Sequence, residues 1–419
     1  MAVSEHRKTA PSVFGLKMLS SLKVPSYRIY FFGTLAHYAA MSMQIVTGPL
    51  LIYRLTESPA LLGTMSLVSA APMIAISVFG GAFADRMQKK KILIAGLLCS
   101  SVVALSIALS LATGVLNRES PGSWWILVGA SIVQGIIMGL MMPALQAIIP
   151  EIVNREQLMN AIALNTLGMN LLSLMAPAIA GFMIDAFDFK AVYFTMCGFY
   201  ICAALFISFI PARGQTIAGG SNIMADIQKG FRYIRQDSLI LFVLAFTLII
   251  VVLSMPYQQL LPIFVDDILK VGARGMGILM SVSGAGALIG SIFLASLPGK
   301  KRGLMLLGSG IVTGIALIVF SFSSHWILSL VFIFFVGLGQ TFRMTIGSSL
   351  LQAYTQDIYM GRVMSILNMQ WGFMSLCTFV AGMLADIIKV QWVLGSLAML
   401  LTALSILSLA FVRGIRKID

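Results

Sequence analysis

The chain contains repeated apolar runs of about 20 residues, separated by short polar stretches, and this pattern constrains its fold most strongly. At 1.5 Å per residue, a helix of that length crosses the hydrocarbon core of a bilayer. Only 10% of the residues are charged, 59% are hydrophobic and the mean hydropathy is +0.96. A soluble domain of 419 residues needs far more polar surface than this. We therefore predict an all-α membrane protein with many crossings.

The boundaries of the apolar runs predict twelve transmembrane helices. Each run is long enough to span, and most are bounded by Gly, Pro or charged residues. The predicted spans are 29–53, 61–83, 92–115, 124–149, 160–184, 190–210, 239–263, 275–297, 303–323, 326–350, 363–386 and 390–412.

Basic residues are distributed unequally between the two sides of these spans. With a cytoplasmic N-terminus, 21 Lys and Arg residues lie on the cytoplasmic side and six on the external side. Positive loops favour the cytoplasm, so we predict a multi-pass protein of the cell inner (plasma) membrane with both termini cytoplasmic. The same distribution accounts for the net charge of +13. Because it forms no continuous basic patch, we expect no nucleic-acid partner.

Short segments recur about 200 residues apart along the chain. Leu-Gln-Ala at 145–147 returns at 351–353, and AGFMID at 180–185 returns as AGMLAD at 381–386. The matches keep their order along the chain. They predict two pseudo-symmetric bundles of six helices each.

The predicted domain organisation follows from this repeat. Residues 29–210 form the N-terminal bundle and 239–412 the C-terminal bundle, with cytoplasmic tails at 1–28 and 413–419. The linker at 211–238 has apolar residues at helical spacing and basic residues between them. This pattern predicts an amphipathic helix on the cytoplasmic leaflet.

Strongly polar side chains are confined to certain spans. Spans 3, 6, 9 and 12 contain no Asn, Gln, His or charged residue away from their ends. Polar groups in hydrocarbon turn toward protein or water, so we expect every third helix to be a lipid-facing support. The other spans would then surround a polar cavity, which is typical of a transporter. The predicted cavity residues are His37, Gln44, Gln134, Asn165, Gln258, Gln259, Gln340 and Arg343.

Arg343 and His37 are the two cavity candidates that can carry charge. Arg343 lies about 10 Å inside span 10, where an arginine costs about 2.5–3.5 kcal/mol on insertion scales. It is either a structurally paired arginine or an anion-recognising group, and we expect the second role. His37 could relay protons or hydrogen-bond a neighbouring helix, and both roles stay open.

The loop between spans 2 and 3 carries a motif that supports a family resemblance. It has Gly, three residues, Asp-Arg and then two basic residues, although Gln88 replaces the second glycine of the signature. Over essentially the whole chain, these features resemble the major facilitator superfamily. The resemblance implies a cytoplasmic latch in which the aspartate docks near the start of helix 11, where the helix dipole and an arginine stabilise it. The latch residues would be Gly81, Asp85, Arg86, Lys89, Lys90 and Arg362.

Two further stretches are similar to bacterial exporters of drugs, macrolides and siderophores. One is residues 141–165, and the other is the fifth span, which resembles their Gly-Pro-x-x-Gly-Gly signature with alanine twice in place of glycine. Small residues and a proline there allow close packing and a bend. The residues of this helix-5 motif are Ala176, Pro177, Ala180 and Gly181.

These observations predict a secondary active transporter, not an enzyme. We expect it to export small amphipathic molecules by alternating access, as a monomer in the lipid bilayer, with protons as the expected coupling cation. An importer or facilitator of a small anionic or neutral solute is an alternative, and a membrane-embedded lipid-handling protein is a remoter one. We expect no cofactor and no metal site, because the four cysteines lie in apolar runs without a histidine at ligand spacing.

Replacing Asp85→Asn tests the predicted cytoplasmic latch. We expect slower transport at unchanged expression, because the amide removes the charge that the helix dipole stabilises. Initial transport rates, normalised to the amount of protein in the membrane, measure this. Unchanged turnover would remove the latch role from Asp85.

Overall fold

The protein is built from long helices, and no strand occurs in the part of the chain that the structure describes. Most of the linker that was predicted as an amphipathic helix, residues 212–231, lies outside that part of the chain. Residues 232–236, near the end of the linker, form a short helix. The computed structural model describes residues 20–86, 88–120, 122–211, 232–297 and 301–411, without the side chains of 77–86 and 357–358.

Apart from the short helices at Ser20–Lys23 and 232–236, the described residues form twelve long helices, named α1 to α12, which confirms the predicted all-α architecture. Residues Arg155–Ser208, 54 residues in all, hold two helices that meet at a non-helical residue, Asp188; they are α5 (155–187) and α6 (189–208). The others are α1 (Pro25–Thr56), α2 (Pro59–Arg86), α3 (Lys89–Ala112), α4 (Trp125–Ile152), α7 (Ser238–Ile268), α8 (Gly272–Ser296), α9 (Arg302–Phe322), α10 (Trp326–Tyr354), α11 (Asp357–Asn368 and Gln370–Ile387) and α12 (Val390–Phe411).

Three of the helical runs are interrupted. The turn between α5 and α6 occurs at Asp188, whose φ of 73° and ψ of 167° lie outside the helical region. Helix α7 is interrupted before Pro256, which cannot donate a backbone hydrogen bond, and it ends in a π-helical turn, Phe264–Ile268. Helix α11 is interrupted at Met369. In the C-terminal half, the irregular backbone therefore lies in α7 and α11.

Within each half, small residues let helices approach closely. In the C-terminal half, α8 packs on α10. A Cβ added to Gly337 would lie 1.9 Å from the Ser283 carbonyl oxygen, and one on Gly286 would lie 2.0 Å from that of Phe334. In the N-terminal half, α1 packs on the α5–α6 element and α2 packs on α4. Such backbone contact is the usual basis of helix association in lipid.

Two helix pairs join the halves, α5 with α8 and α2 with α11. A Cβ on Gly277 would lie 2.4 Å from the Pro177 carbonyl oxygen, and one on Gly63 would lie 2.8 Å from that of Thr378. A Cβ on Gly181 would likewise lie 2.4 Å from the Ala273 carbonyl oxygen. The helix-5 motif therefore lies at the contact between the halves, and its Ala176 and Ala180 are buried.

These contacts lie toward one end of the bundle, which we call the predicted outer face; its loops are at 57–58, 113–124, 269–271, 323–325 and 388–389. The opposite end, with loops at 153–154 and 355–356 and the linker, is the predicted inner face. By helical periodicity Met159, Ala163 and Thr166 continue the α5 face that touches α8, yet all three are exposed. Ile292 and Ala295, near the inner end of α8, are exposed as well. The α5 and α8 surfaces thus meet toward the predicted outer face and are exposed toward the inner face.

A Gly277→Ala substitution tests the contact between α5 and α8. We expect a lower melting temperature, because an added methyl group meets backbone atoms, and such overpacking costs about 1–3 kcal/mol. Thermal unfolding of the detergent-purified protein measures it. Gly198→Ala is the matched control, because nothing lies within 4 Å of a Cβ built there. Equal melting temperatures for the two variants would contradict the close contact.

Candidate functional site

An ion pair and a hydrogen bond join the two halves at the predicted outer face. Arg54 of α1 donates from Nε to Asp266 Oδ2 at 2.9 Å and from Nη2 to Oδ1 at 3.0 Å. The neighbouring Tyr53 hydroxyl donates to Asp267 Oδ2. We call Tyr53, Arg54, Asp266 and Asp267 the outer clasp. The two carboxylates lie in the π-helical turn of α7, so α7's irregular end faces α1.

Further polar contacts surround the outer clasp. Asp185 of α5 accepts a hydrogen bond from the backbone N–H of Arg274 at 3.1 Å, and Ser58 lies 3.5 Å from Asp386 of α11. The guanidinium of Arg274 also lies over the Phe182 ring, 4.4 Å from its centroid. The outer face is therefore closed by polar contacts as well as by backbone packing. A cavity of about 650 Å³ opens here, lined by Tyr53, Arg54, Glu57, Arg118, Asp266 and Asp267.

The latch predicted from the sequence lies at the opposite face, and the outer clasp was not predicted. Among the described side chains, the Arg54–Asp266 pair is the one ion pair between the halves; Lys89–Glu151 and Arg118–Glu57 both lie within the N-terminal half. The signal was present in the sequence. Opposite charges stand at the outer ends of spans 1 and 7, which are equivalent positions of the two repeats.

The predicted inner latch is only partly visible. The side chains of Gly81, Asp85 and Arg86 lie outside the described residues, so their latch role stays a prediction. Lys89 pairs with Glu151 at the end of α4, and Lys90 donates to the Ile210 carbonyl at 2.7 Å. These two lysines tie the start of α3 to other helices of its own half. Arg362, at the start of α11, lies over the Tyr359 ring at 5.5 Å.

In the N-terminal half, the predicted cavity residues contact neighbouring helices. Asn165 of α5 accepts from the Thr34 hydroxyl at 3.2 Å and donates to the Tyr38 hydroxyl at 3.3 Å. His37 is 1% exposed, and its ring lies 6.0 Å from that of Tyr200 in α6. The structure therefore places His37 between α1 and α6, inside the bundle rather than on a cavity wall.

The remaining N-terminal candidates are half-buried. Gln44 faces the buried hydroxyl of Tyr193. Gln134 lies beside Gly135, whose added Cβ would meet the Ser69 carbonyl oxygen of α2 at 2.2 Å. Gln134 is thus on the flank of α4 next to its contact with α2. These placements bring the N-terminal candidates to three separate helix contacts, not to one cluster.

A compact polar cluster forms in the C-terminal half around Tyr257. The Tyr257 hydroxyl lies 3.5 Å from Ser283 Oγ, and Gln258 Nε2 donates to it at 3.5 Å. Gln340 of α10 faces the same hydroxyl, while its Nε2 atom is buried without a hydrogen-bond partner. Gln259 is half-buried beside this cluster. The structure therefore adds Tyr257 and Ser283 to the predicted Gln258 and Gln340.

Arg343 lies on the same helix as Gln340, one turn further toward the predicted inner face. Its side chain is 8% exposed, and Nη1 donates to Gln370 Oε1 at 3.2 Å. Its Nε has no hydrogen-bond partner. Gln370 directly follows the interruption of α11 at Met369. Gln370 was not among the predicted site residues, although a glutamine inside span 11 is itself the kind of signal that marks them.

Comparison with known proteins gives one consistent family. The family profile described as Major Facilitator Superfamily matches residues 30–377. The chain is 24% identical to the enterobactin exporter EntS of Shigella boydii serotype 4, over 84% of this chain and 83% of that protein. It is 23% identical to macrolide efflux protein A of Streptococcus pyogenes, over 78% and 83% of the two chains. The solved structure of the nucleoside transporter NupG has a TM-score of 0.73 at 11% identity, covering 92% of this chain and 99% of that one.

An Arg54→Gln substitution tests the outer clasp. We expect the outer face to open more often, because the amide cannot form the bidentate charged pair with Asp266. Distances between spin labels on cysteines introduced at the exposed positions 115 and 389, with the native cysteines replaced, measure the opening. Arg118→Gln is the matched control, since Arg118 pairs with Glu57 in its own half. A distance distribution that matches the wild type would show that the clasp does not hold the face closed.

Proposed function

Because this chain belongs to the major facilitator superfamily, it is a membrane transport protein and not an enzyme, and we propose that it exports small amphipathic molecules by alternating access. The observation that carries the proposal is the asymmetry of the two faces. Small residues and the outer clasp hold the halves together at one end, while the α5 and α8 surfaces that would meet at the other end are exposed. A rocking motion of the halves would exchange these two arrangements.

Export is the direction that the relatives favour. Two proteins similar to this chain over most of its length are named as exporters, of enterobactin in one case and of macrolides in the other. Both names describe the removal of a molecule from the cell. We propose the same direction for this protein. It would act as a monomer in the cell inner (plasma) membrane, with the predicted inner face toward the cytoplasm.

The proposed transport cycle uses two closures in alternation. At the outer face, separation of the halves requires Arg54 to leave Asp266 and Tyr53 to leave Asp267. At the inner face, Asp85 and Arg86 would then dock near Arg362 at the start of α11. The Lys89 and Lys90 contacts would keep the α2–α3 loop on its own half throughout. Each state therefore would keep one set of charged contacts formed while the other is broken.

Protons are the proposed coupling ion. No Asp or Glu lies well inside a predicted span; the carboxylates stand near helix ends. Asp266 and Asp267 of the outer clasp are among these, and both would lose their partners when the outer face opens.

Transport in membrane vesicles of known orientation tests the proposed function. We expect radiolabelled erythromycin or a catecholate siderophore to accumulate in inside-out vesicles that contain the protein, and a proton ionophore to reduce this accumulation. Vesicles from cells with the empty vector are the control. Accumulation only in right-side-out vesicles would instead support an importer, equilibration without accumulation would support a facilitator, and accumulation that the ionophore does not change would argue against proton coupling.

A further inference from the structure

The guanidinium of Arg343 is a buried charge without a counter-ion among the described side chains. Its side chain is 8% exposed, and the described ion pairs involve other residues. Its one described hydrogen bond goes to the neutral amide oxygen of Gln370. An unpaired buried charge is costly, because water that would solvate it has been removed. The site therefore favours any anion that can reach it.

Two donors at this site have no acceptor at hydrogen-bond distance, although the Tyr257 hydroxyl faces Gln340. Both the Nε of Arg343 and the Nε2 of Gln340 are buried without a hydrogen-bond partner. The two residues are three positions apart on α10, so their side chains share one face of the helix. Buried donors are almost always satisfied, and those that are not require a specific explanation. An acceptor that carries negative charge would satisfy both donors and neutralise the guanidinium.

Snorkelling does not account for Arg343. A snorkelling arginine extends its charged group to the membrane surface, which is about 10 Å away along α10 at 1.5 Å per residue. Here Nη1 instead reaches sideways to α11, and the side chain stays buried. Nor is Arg343 held by a carboxylate as a structural pair, within the side chains described. Neither snorkelling nor a structural ion pair is therefore supported by the described contacts of Arg343.

We propose that Arg343 and Gln340 form a subsite for a carboxylate or similar oxyanion of the transported molecule. This inference rests on the proposed transport function and specifies the substrate class of the same site. The anion would accept from Arg343 Nε and Gln340 Nε2, which are charge-assisted bonds on the arginine side. Gln370 Oε1 would hold Nη1 in position when the anion is absent. Tyr257 and Gln258, beside Gln340, would bind the polar groups next to the anion.

A matched pair of compounds tests the subsite directly. Naphthalene-2-carboxylate and naphthalene-2-carboxamide have nearly the same size and shape but differ in charge. We expect the carboxylate to raise the melting temperature of the detergent-purified protein at concentrations at least tenfold lower than the amide. Equal stabilisation by the two compounds, or stabilisation by neither, would overturn the proposal.

Substitutions assign the preference to Arg343. In Arg343→Gln the two compounds should act alike, whereas Arg343→Lys should keep a reduced preference for the carboxylate because it keeps the charge. Arg302→Gln is the control: it removes a positive charge from the same half at the inner end of α9, where Arg302 donates to Ser349. A preference for the carboxylate that survives in Arg343→Gln would contradict the assignment.

The Gln370→Glu variant tests the missing counter-ion without any ligand. A carboxylate in place of the amide, which now lies 3.2 Å from Nη1, should raise the melting temperature of the ligand-free protein and abolish the effect of naphthalene-2-carboxylate. An unchanged or lower melting temperature would show that the Arg343 charge is already compensated. This readout also remains if Arg343→Gln fails to fold.

Binding measured by melting temperature is independent of transport direction. A lack of transport in vesicles would therefore refute the transport proposal and leave the subsite standing.

Discussion

Close backbone contact between the two halves is the constraint on which the rest of the structure depends. In lipid, helices gain little from burying apolar side chains, so close approach of small residues supplies much of their association. Gly63, Gly181 and Gly277 provide that approach, and each lies on the outer part of its helix. Because this packing is confined to one end, the other end of the same helices can separate. An asymmetric protein thus results from two similar halves.

Polar contacts strengthen this closure without making it permanent. The Arg54–Asp266 pair is partly exposed, with side-chain exposures of 34% and 21%, so water can replace its hydrogen bonds when it breaks. A fully buried pair would cost more to separate, because each charge would be left without solvation. The position of the clasp at the rim therefore suits a contact that forms and breaks in every cycle.

The sequence was sufficient to predict the helices but not their contacts. Length and apolarity are local properties, so the twelve spans follow directly from them, including the break between spans 5 and 6, which the structure places at Asp188. Polarity indicates that His37 avoids lipid, yet it does not indicate whether the side chain faces a cavity or another helix. In the structure it faces Tyr200, a residue of a support helix without a strongly polar side chain in its middle. The outer clasp joins residues 212 apart in sequence, and such pairing depends on how the halves dock.

The two interrupted helices of the C-terminal half connect the buried charge to the closure between the halves. Helix α7 carries Gln258 in the short segment after its interruption and the clasp carboxylates in its π-helical turn. Helix α11 carries Gln370 at its interruption, and two residues later Gly372 meets Ile74 of α2, where an added Cβ would lie 2.6 Å away. A shift of either segment would therefore act on a polar site and on a contact between the halves together. Regular helices would hold the two groups at a fixed spacing, whereas an interruption lets one segment reorient while the remainder stays packed. The departures from ideal helix geometry thus occur where the proposed anion subsite and the contacts between the halves share a helix.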